Sequence, residues 1–197
     1  MAHINSFVRI PLLALRQAIR PLPPLAPFSP DVVRMTVYPN DIDFNLHLNN
    51  SRYLSIMDYG RMRLTARVGM LSHILRLRLT PLVGGVWITY RRSLGLFASF
   101  HLSTRLIGWD DRWFYFEQTL TGSQGLAAIA QVRGTLANSS GIVPPQSLID
   151  LVSPALGMPG LTSPPLPAAL LTLNDLTKDK LDAEKAQATN IESGAAQ

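Results

Sequence analysis

Apolar and polar residues along this chain follow two different rhythms, and the rhythm changes at Gly84-Gly85. Ahead of that point, Val32 to Tyr38 alternates, with Val33, Met35 and Val37 on one face, and predicts a strand. Pro39-Asn40-Asp41 ends it. Tyr53, Ile56, Met57, Gly60, Leu64, Val68 and Leu71 then recur at steps of three and four, which predicts a long helix from about Ser51 to Met70. Gly60 falls mid-helix on the apolar face. Glycine costs stability there, so a close backbone approach is the expected reason for it. Leu71 to Leu79 predicts a short second helix, stopped by Pro81.

Beyond Gly84-Gly85 the period is two. Strands are predicted over Val86–Ser93, Phe97–Leu106, Trp113–Leu120 and Leu126–Leu136, with glycine-bearing turns at Gly108–Asp111 and Gly122–Gly125. In the second of these, Ala98, Phe100, Leu102 and Leu106 share one face, and Ser99, His101, Ser103 and Arg105 share the other. The last strand's inner face is rich in small residues, including Ala128, Ala130 and Gly134, which lets a helix lie close to it. Strand, long helix and four-strand meander make an α+β plan. One long central helix is wrapped by a curved antiparallel sheet of about five strands.

The flanks differ in texture. Residues 1–20 mix Phe7, Ile10, Leu12, Leu13 and Leu15 with Arg9, Arg16 and Arg20. This stretch is too short in its apolar run to span a bilayer. It reads either as a basic amphipathic helix on a membrane surface or as a helix packed on the domain. Pro21 to Pro30 reads as a semi-extended linker. The folded domain is expected over 31–141. A Pro-rich and then polar tail follows over 142–197, with one or two helical turns at Gln146–Val152 and a frayed or mobile end from Asn174.

Length and composition narrow the classes. The 197 residues, 47% of them hydrophobic, suit one domain with tails. The formal charge of +5 invites a nucleic-acid reading. The arginines, however, are scattered through apolar stretches with no Lys/Arg block, which favours an anionic small molecule or a membrane surface instead. With no cysteine, disulfides, thiolate metal sites and a cysteine nucleophile are excluded. The four histidines show no paired metal-binding spacing, so no metal site is expected.

Candidate chemistry concentrates in Asp41-Ile42-Asp43-Phe44-Asn45-Leu46-His47-Leu48-Asn49-Asn50-Ser51. If this stretch is extended, Asp43, Asn45 and His47 share one side. Asn49, Asn50 and Ser51 are helix-capping residues at the start of the long helix, where free N–H groups stabilise developing negative charge.

Four blocks, in this order, are similar to the hot-dog-fold acyl-CoA thioesterases, among them the bacterial thioesterase family proteins and the thioesterase superfamily member six group. The blocks are Asp41-Ile42-Asp43, His47 to Leu54, Tyr90-Arg91-Arg92-Ser93-Leu94 and Arg105 to Asp111. The similarity covers roughly Asp31 to Gly141. The plant acyl-(acyl carrier protein) thioesterases resemble the chain more distantly. Their catalytic Asp, Asn and His match Asp43, Asn45 and His47, but where they carry a catalytic Glu after Tyr-Arg-Arg this chain has Ser93.

The resemblance implies hydrolysis of an acyl-CoA or acyl-carrier-protein thioester to a carboxylic acid and a thiol, within fatty acid metabolism. Asp43 would serve as general base or nucleophile, with Asn45 and His47 assisting and the backbone at Asn49, Asn50 and Ser51 holding the oxyanion. Arg91, Arg92 and Arg105 are weaker candidates for coenzyme A phosphates. No cofactor is expected beyond coenzyme A as part of the substrate. A homodimer or dimer of dimers is implied, in the cytoplasm, with membrane contact through residues 1–20. Two other readings stay open: a hot-dog hydratase or dehydratase, and a non-catalytic acyl-binding protein on a membrane.

Overall fold

The computed structural model describes residues 22–178 and residue 180. Residues 1–20, read above as a helix on a membrane or on the domain, lie outside these, as does most of the polar end. The chain divides into two compact units, up to Pro164 and from Pro165. In the second, a helix covers 168–178, with Thr172 and Thr177 hydroxyls donating to the carbonyls of Ala168 and Leu173.

The first unit holds β1 (Asp31–Thr36), α1 (Asn50–Arg67), α2 (Met70–Arg76), β2 (Thr80–Tyr90), β3 (Ser99–Trp109), β4 (Phe114–Gly122), β5 (Gly125–Asn138), β6 (Gly141–Val143) and α3 (Pro145–Val152). All strand pairings are antiparallel, in the order β1-β3-β4-β5-β2, with β6 beside the end of β5. Among the described residues the sheet therefore has six strands rather than about five. Register shifts at Val83/Gly85, Leu106/Gly108 and Leu120/Thr121 help curve it around α1.

β2 starts at Thr80, well before Val86, where the alternating pattern begins. Pro81 and Gly84-Gly85 read as breakers, yet among the described residues β2 pairs only with β5. On an edge strand a missing N–H disturbs no second ladder. Gly84 also leaves room for the Trp113 ring, which a β-carbon there would overlap.

Burial follows the alternation. Phe100, Leu102 and Leu106 of β3 are buried, while Ser99, His101 and Arg105 are exposed. Two apolar clusters result. One gathers around the first half of α1, with Tyr53, Ile56 and Met57 against Val37, Phe100, Leu102, Leu120 and Ala128. The other gathers around its second half and α2, with Leu64, Val68 and Ile74 against Leu106, Trp109, Phe114 and Leu136. α3 adds Leu148, Ile149 and Val152 to the second. The expected linker also lies against this cluster: Leu25 and Phe28 pack on it, Leu25 N–H donates to Arg67 O at 3.1 Å, and the Phe28 ring stacks on Trp109. Its apolar side chains explain that better than its prolines predict.

A polar seam crosses the middle. Gln118 is fully buried. Its amide donates to Met57 O at 2.9 Å and Thr104 Oγ1 at 2.8 Å, and its Oε1 accepts from Arg61 at 2.6 Å. Arg61 also pairs with Asp58. Here sits Gly60, as close approach demands: a β-carbon would overlap Thr104 Oγ1 and lie 2.8 Å from Leu102 Cδ2. At the far end, the buried Asp31 carboxylate meets Arg63 at 3.0 Å and Arg67 at 2.6 Å, tying β1 to the end of α1.

Candidate active site

The Asp43–His47 stretch is a tight turn, not an extended segment. Ile42 and Leu48 form an antiparallel bridge, Asp43 N–H donates to His47 O at 2.9 Å, and Leu46 N–H donates to Asp43 O at 3.1 Å. Leu46 takes φ 59°, the left-handed region, to close it. Simple alternation therefore does not govern where these side chains point. The carboxylate of Asp43 accepts from two N–H groups of its own loop, Asn45 at 2.8 Å and His47 at 3.4 Å. Asp43 is half-buried, whereas Asn45 and His47 are exposed.

The loop is fixed to the start of α1 by residues whose roles the spacing did not reveal. Asn49 N–H donates to Asp41 O at 2.8 Å. The buried Asp41 carboxylate accepts from Tyr38 N–H at 3.2 Å and lies 3.9 Å from Arg52 Nε. Arg52 also donates to Asn40 O at 2.9 Å. Of the two aspartates in Asp41-Ile42-Asp43, the first is the one turned inward, which their spacing alone does not indicate.

At the helix start, Asn49 is the N-cap, and its Oδ1 accepts from Ser51 N–H at 2.9 Å and Ser51 Oγ at 2.7 Å. Among the described residues, the Asn50 N–H is the one of the three candidate backbone donors without an acceptor. The Asn49 and Ser51 N–H groups are already committed.

The segment after β2 runs beside this corner. Tyr90 hydroxyl donates to Asn50 O at 3.2 Å, Leu48 N–H donates to Leu94 O at 2.7 Å, and His47 bridges to Gly95. Arg91, Arg92 and Ser93 are exposed in this segment. Tyr90 meets Tyr53 edge-on, with ring centroids 5.0 Å apart. Burial pushes the Tyr53 hydroxyl above its ordinary pKa, and Tyr90 adds to that; burial alone raises Tyr90. Both stay neutral donors at physiological pH. Arg105 is elsewhere: it is on the exposed outer face of β3, paired with Glu117 at 2.7 Å.

Large apolar side chains surround the loop without cover. Phe44 is fully exposed, Leu46 is 63% exposed and Phe97 is 64% exposed. Among the described residues there is no cluster of three or more metal-ligating side chains, and no helix long and apolar enough to cross a membrane.

A model of the thioesterase-like superfamily matches residues 37–171. A zebrafish (Danio rerio) protein, THEM6, is 36% identical over 123 residues, which cover 61% of this chain and 59% of that one. Its Xenopus laevis namesake is 37% identical over 117 residues, covering 57% and 54%. The chain thus spans little more than half the length of these curated relatives. Among solved structures, the hypothetical protein SAV2348 from Staphylococcus aureus in complex with CoA superposes with a TM-score of 0.58 at 22% identity, covering 74% of this chain and 94% of that one. That likeness, like those at lower identity, speaks for the hot-dog fold.

Proposed function

The chain belongs to the thioesterase-like superfamily, and from that premise we propose that it hydrolyses acyl thioesters through Asp43. One observation carries the reading. Within the matched span 37–171, a carboxylate sits in a turn whose flank is bonded to the N-cap of the long helix, and the first N–H of that helix, at Asn50, has no acceptor among the described residues. Asp43 takes the proton of the attacking water, or attacks the carbonyl itself. The Asn50 N–H and the positive end of the helix receive the oxyanion. Asn45 orients water or the carbonyl, His47 assists proton transfer, and the Asn49 and Ser51 side chains hold the helix start in shape.

The substrate is an acyl-CoA or an acyl-carrier-protein thioester. The S. aureus protein with CoA bound supports coenzyme A as the thiol, and no further cofactor is called for. Arg91 and Arg92, exposed near the helix start, are suited to its phosphates. Arg105, committed to Glu117 on the outer face, is the weakest of the three. The uncovered Phe44, Leu46 and Phe97 support a homodimer in which a second copy covers the loop. We place the protein in fatty acid metabolism, on the cytoplasmic side of a membrane, with residues 1–20 as a surface contact.

The test is hydrolysis of a series of acyl-CoA chain lengths by wild type, Asp43→Ala and His47→Ala. Loss of turnover in Asp43→Ala with substrate still bound is expected. Wild-type turnover in both variants overturns the assignment. Ser93, standing where the plant enzymes carry a catalytic Glu, favours a second reading as a non-catalytic acyl-binding protein. Tight acyl-CoA binding by wild type with no hydrolysis selects it. Water addition to an enoyl-CoA selects the hydratase.

A further inference from the structure

At the opposite end of α1 from Asp43, a cavity of about 710 Å³ opens between α1, α2, β2 and β5. Leu64, Val68, Ile74, Leu106, Phe114 and Leu136 form its interior. The Asp58–Arg61 pair lies on its wall, the charged mark in a lining that is otherwise apolar apart from Thr65 and Thr135. A space of this size and lining suits an acyl chain.

The rim of the cavity is unusual for a surface facing water. Three residues that line it are also strongly exposed: Leu75 at 62%, Leu82 at 45% and Val83 at 53%. Leu77 between them is 42% exposed. Arg76 and Arg78 alternate with these leucines and are exposed, and among the described residues neither forms an ion pair. Between Asp58 and Asp110 the sequence contains eight arginines and no Asp or Glu. The carboxylates that pair with Arg61, Arg63, Arg67 and Arg105 all come from outside that stretch. Among the described residues, no carboxylate therefore pairs with Arg76 or Arg78.

We propose that this shoulder docks on an anionic lipid bilayer, with the leucines and Val83 in the acyl region and Arg76 and Arg78 on the headgroups, so that the cavity opens to acyl chains held in the membrane. The Arg76 guanidinium meets the His73 ring at 3.1 Å, and exposed aliphatic side chains alternating with cations that have no acidic partner among the described residues match the apolar interior and negative surface of such a bilayer. Water satisfies the cations but not the leucines. The docking surface does not depend on Asp43 or on hydrolysis, and it is separate from residues 1–20.

The experiment is flotation of the purified full chain with phosphatidylserine-containing vesicles and with pure phosphatidylcholine vesicles, at low and high salt. Wild type is expected to bind the anionic vesicles and to lose binding as salt rises. Arg76→Gln/Arg78→Gln should weaken binding to anionic vesicles by roughly thirtyfold, given the usual contribution of an arginine near such a surface. Leu75→Asp/Leu82→Asp should weaken it by at least about tenfold, from the lost apolar burial. Because a variant that misfolds would also lose binding, a gain of signal accompanies these. Leu77→Trp should show fluorescence quenching by lipids brominated on the acyl chain, beyond that of the wild-type tryptophans. Wild-type binding by both double variants, or absence of added quenching in Leu77→Trp, overturns the proposal. So does a change from dimer to monomer in the double variants with vesicle binding intact, which would make the shoulder a contact between copies.

Discussion

The two ends of α1 solve opposite problems. At the N-terminal end the chain arranges polar groups: Asp41 turns inward to hold the loop, Asn49 caps the helix, and Asp43 is held by the N–H groups of its own turn. Hydrogen bonds do the positioning, and the chemistry-bearing atoms remain reachable. At the C-terminal end the chain arranges space. A buried carboxylate, Asp31, clamps the helix end with two arginines, and beside it the packing leaves room for a ligand. Close packing is the rule in protein interiors, so a cavity of that size beside a well-packed half is a feature to be explained by use. On the proposed reading, reactivity and chain accommodation are separated along one helix, about 27 Å long at the usual rise per residue.

Changes at either end should therefore break different things. The largest effect is expected at the N-terminal end: Asp43→Ala should lower acyl-CoA kcat by about 10²–10⁴-fold while the melting temperature stays near wild type. Unchanged vesicle binding in the same variant would sharpen the separation of the two ends. Next is Asp31→Asn, which leaves Arg63 and Arg67 without their shared buried partner and should cost about 3–5 kcal/mol in urea denaturation. Gly60→Val tests the boundary between the ends. It overfills the contact with Thr104 and Leu102, and should cost about 1–3 kcal/mol, read in the same way.

The smallest expected effect is a change in slope. Burial raises the Asp58 carboxyl above its ordinary pKa, although Arg61 beside it pulls the other way. The folded protein therefore keeps this proton to higher pH than the unfolded chain does. The group's contribution to stability is full below the ordinary aspartate range and is lost as pH rises through the raised value. Asp58→Asn should flatten that part of the stability–pH curve, whatever it does to overall stability. An unaltered slope would mean that the carboxyl is effectively solvated.

Much of this was legible in the sequence because period and burial coincide. Val33, Phe100, Leu102 and Ala128 alternate in the chain and point toward the core, and Gly60 lies where the helix meets the sheet. The start of β2 was hidden by Pro81 and Gly84-Gly85, whose breaking power lapses on an edge strand. β6, with three residues, is too short to show a period. The turn at Asp43 was hidden because Leu46, a residue seldom left-handed, closes it. The cavity was invisible for a deeper reason. Its lining residues are ordinary core types, and only the spacing of α1, α2 and β2 decides whether they touch each other or leave a gap.

Gln118 has a mechanical consequence. One side chain grips the α1 backbone at Met57, the β3 hydroxyl of Thr104 and the Arg61 guanidinium, and so acts as a dowel between helix and sheet. A helix doweled at its midpoint cannot slide lengthwise. Whatever distance separates the reactive corner from the far chamber is then a fixed ruler, built into the molecule and not adjusted for each guest.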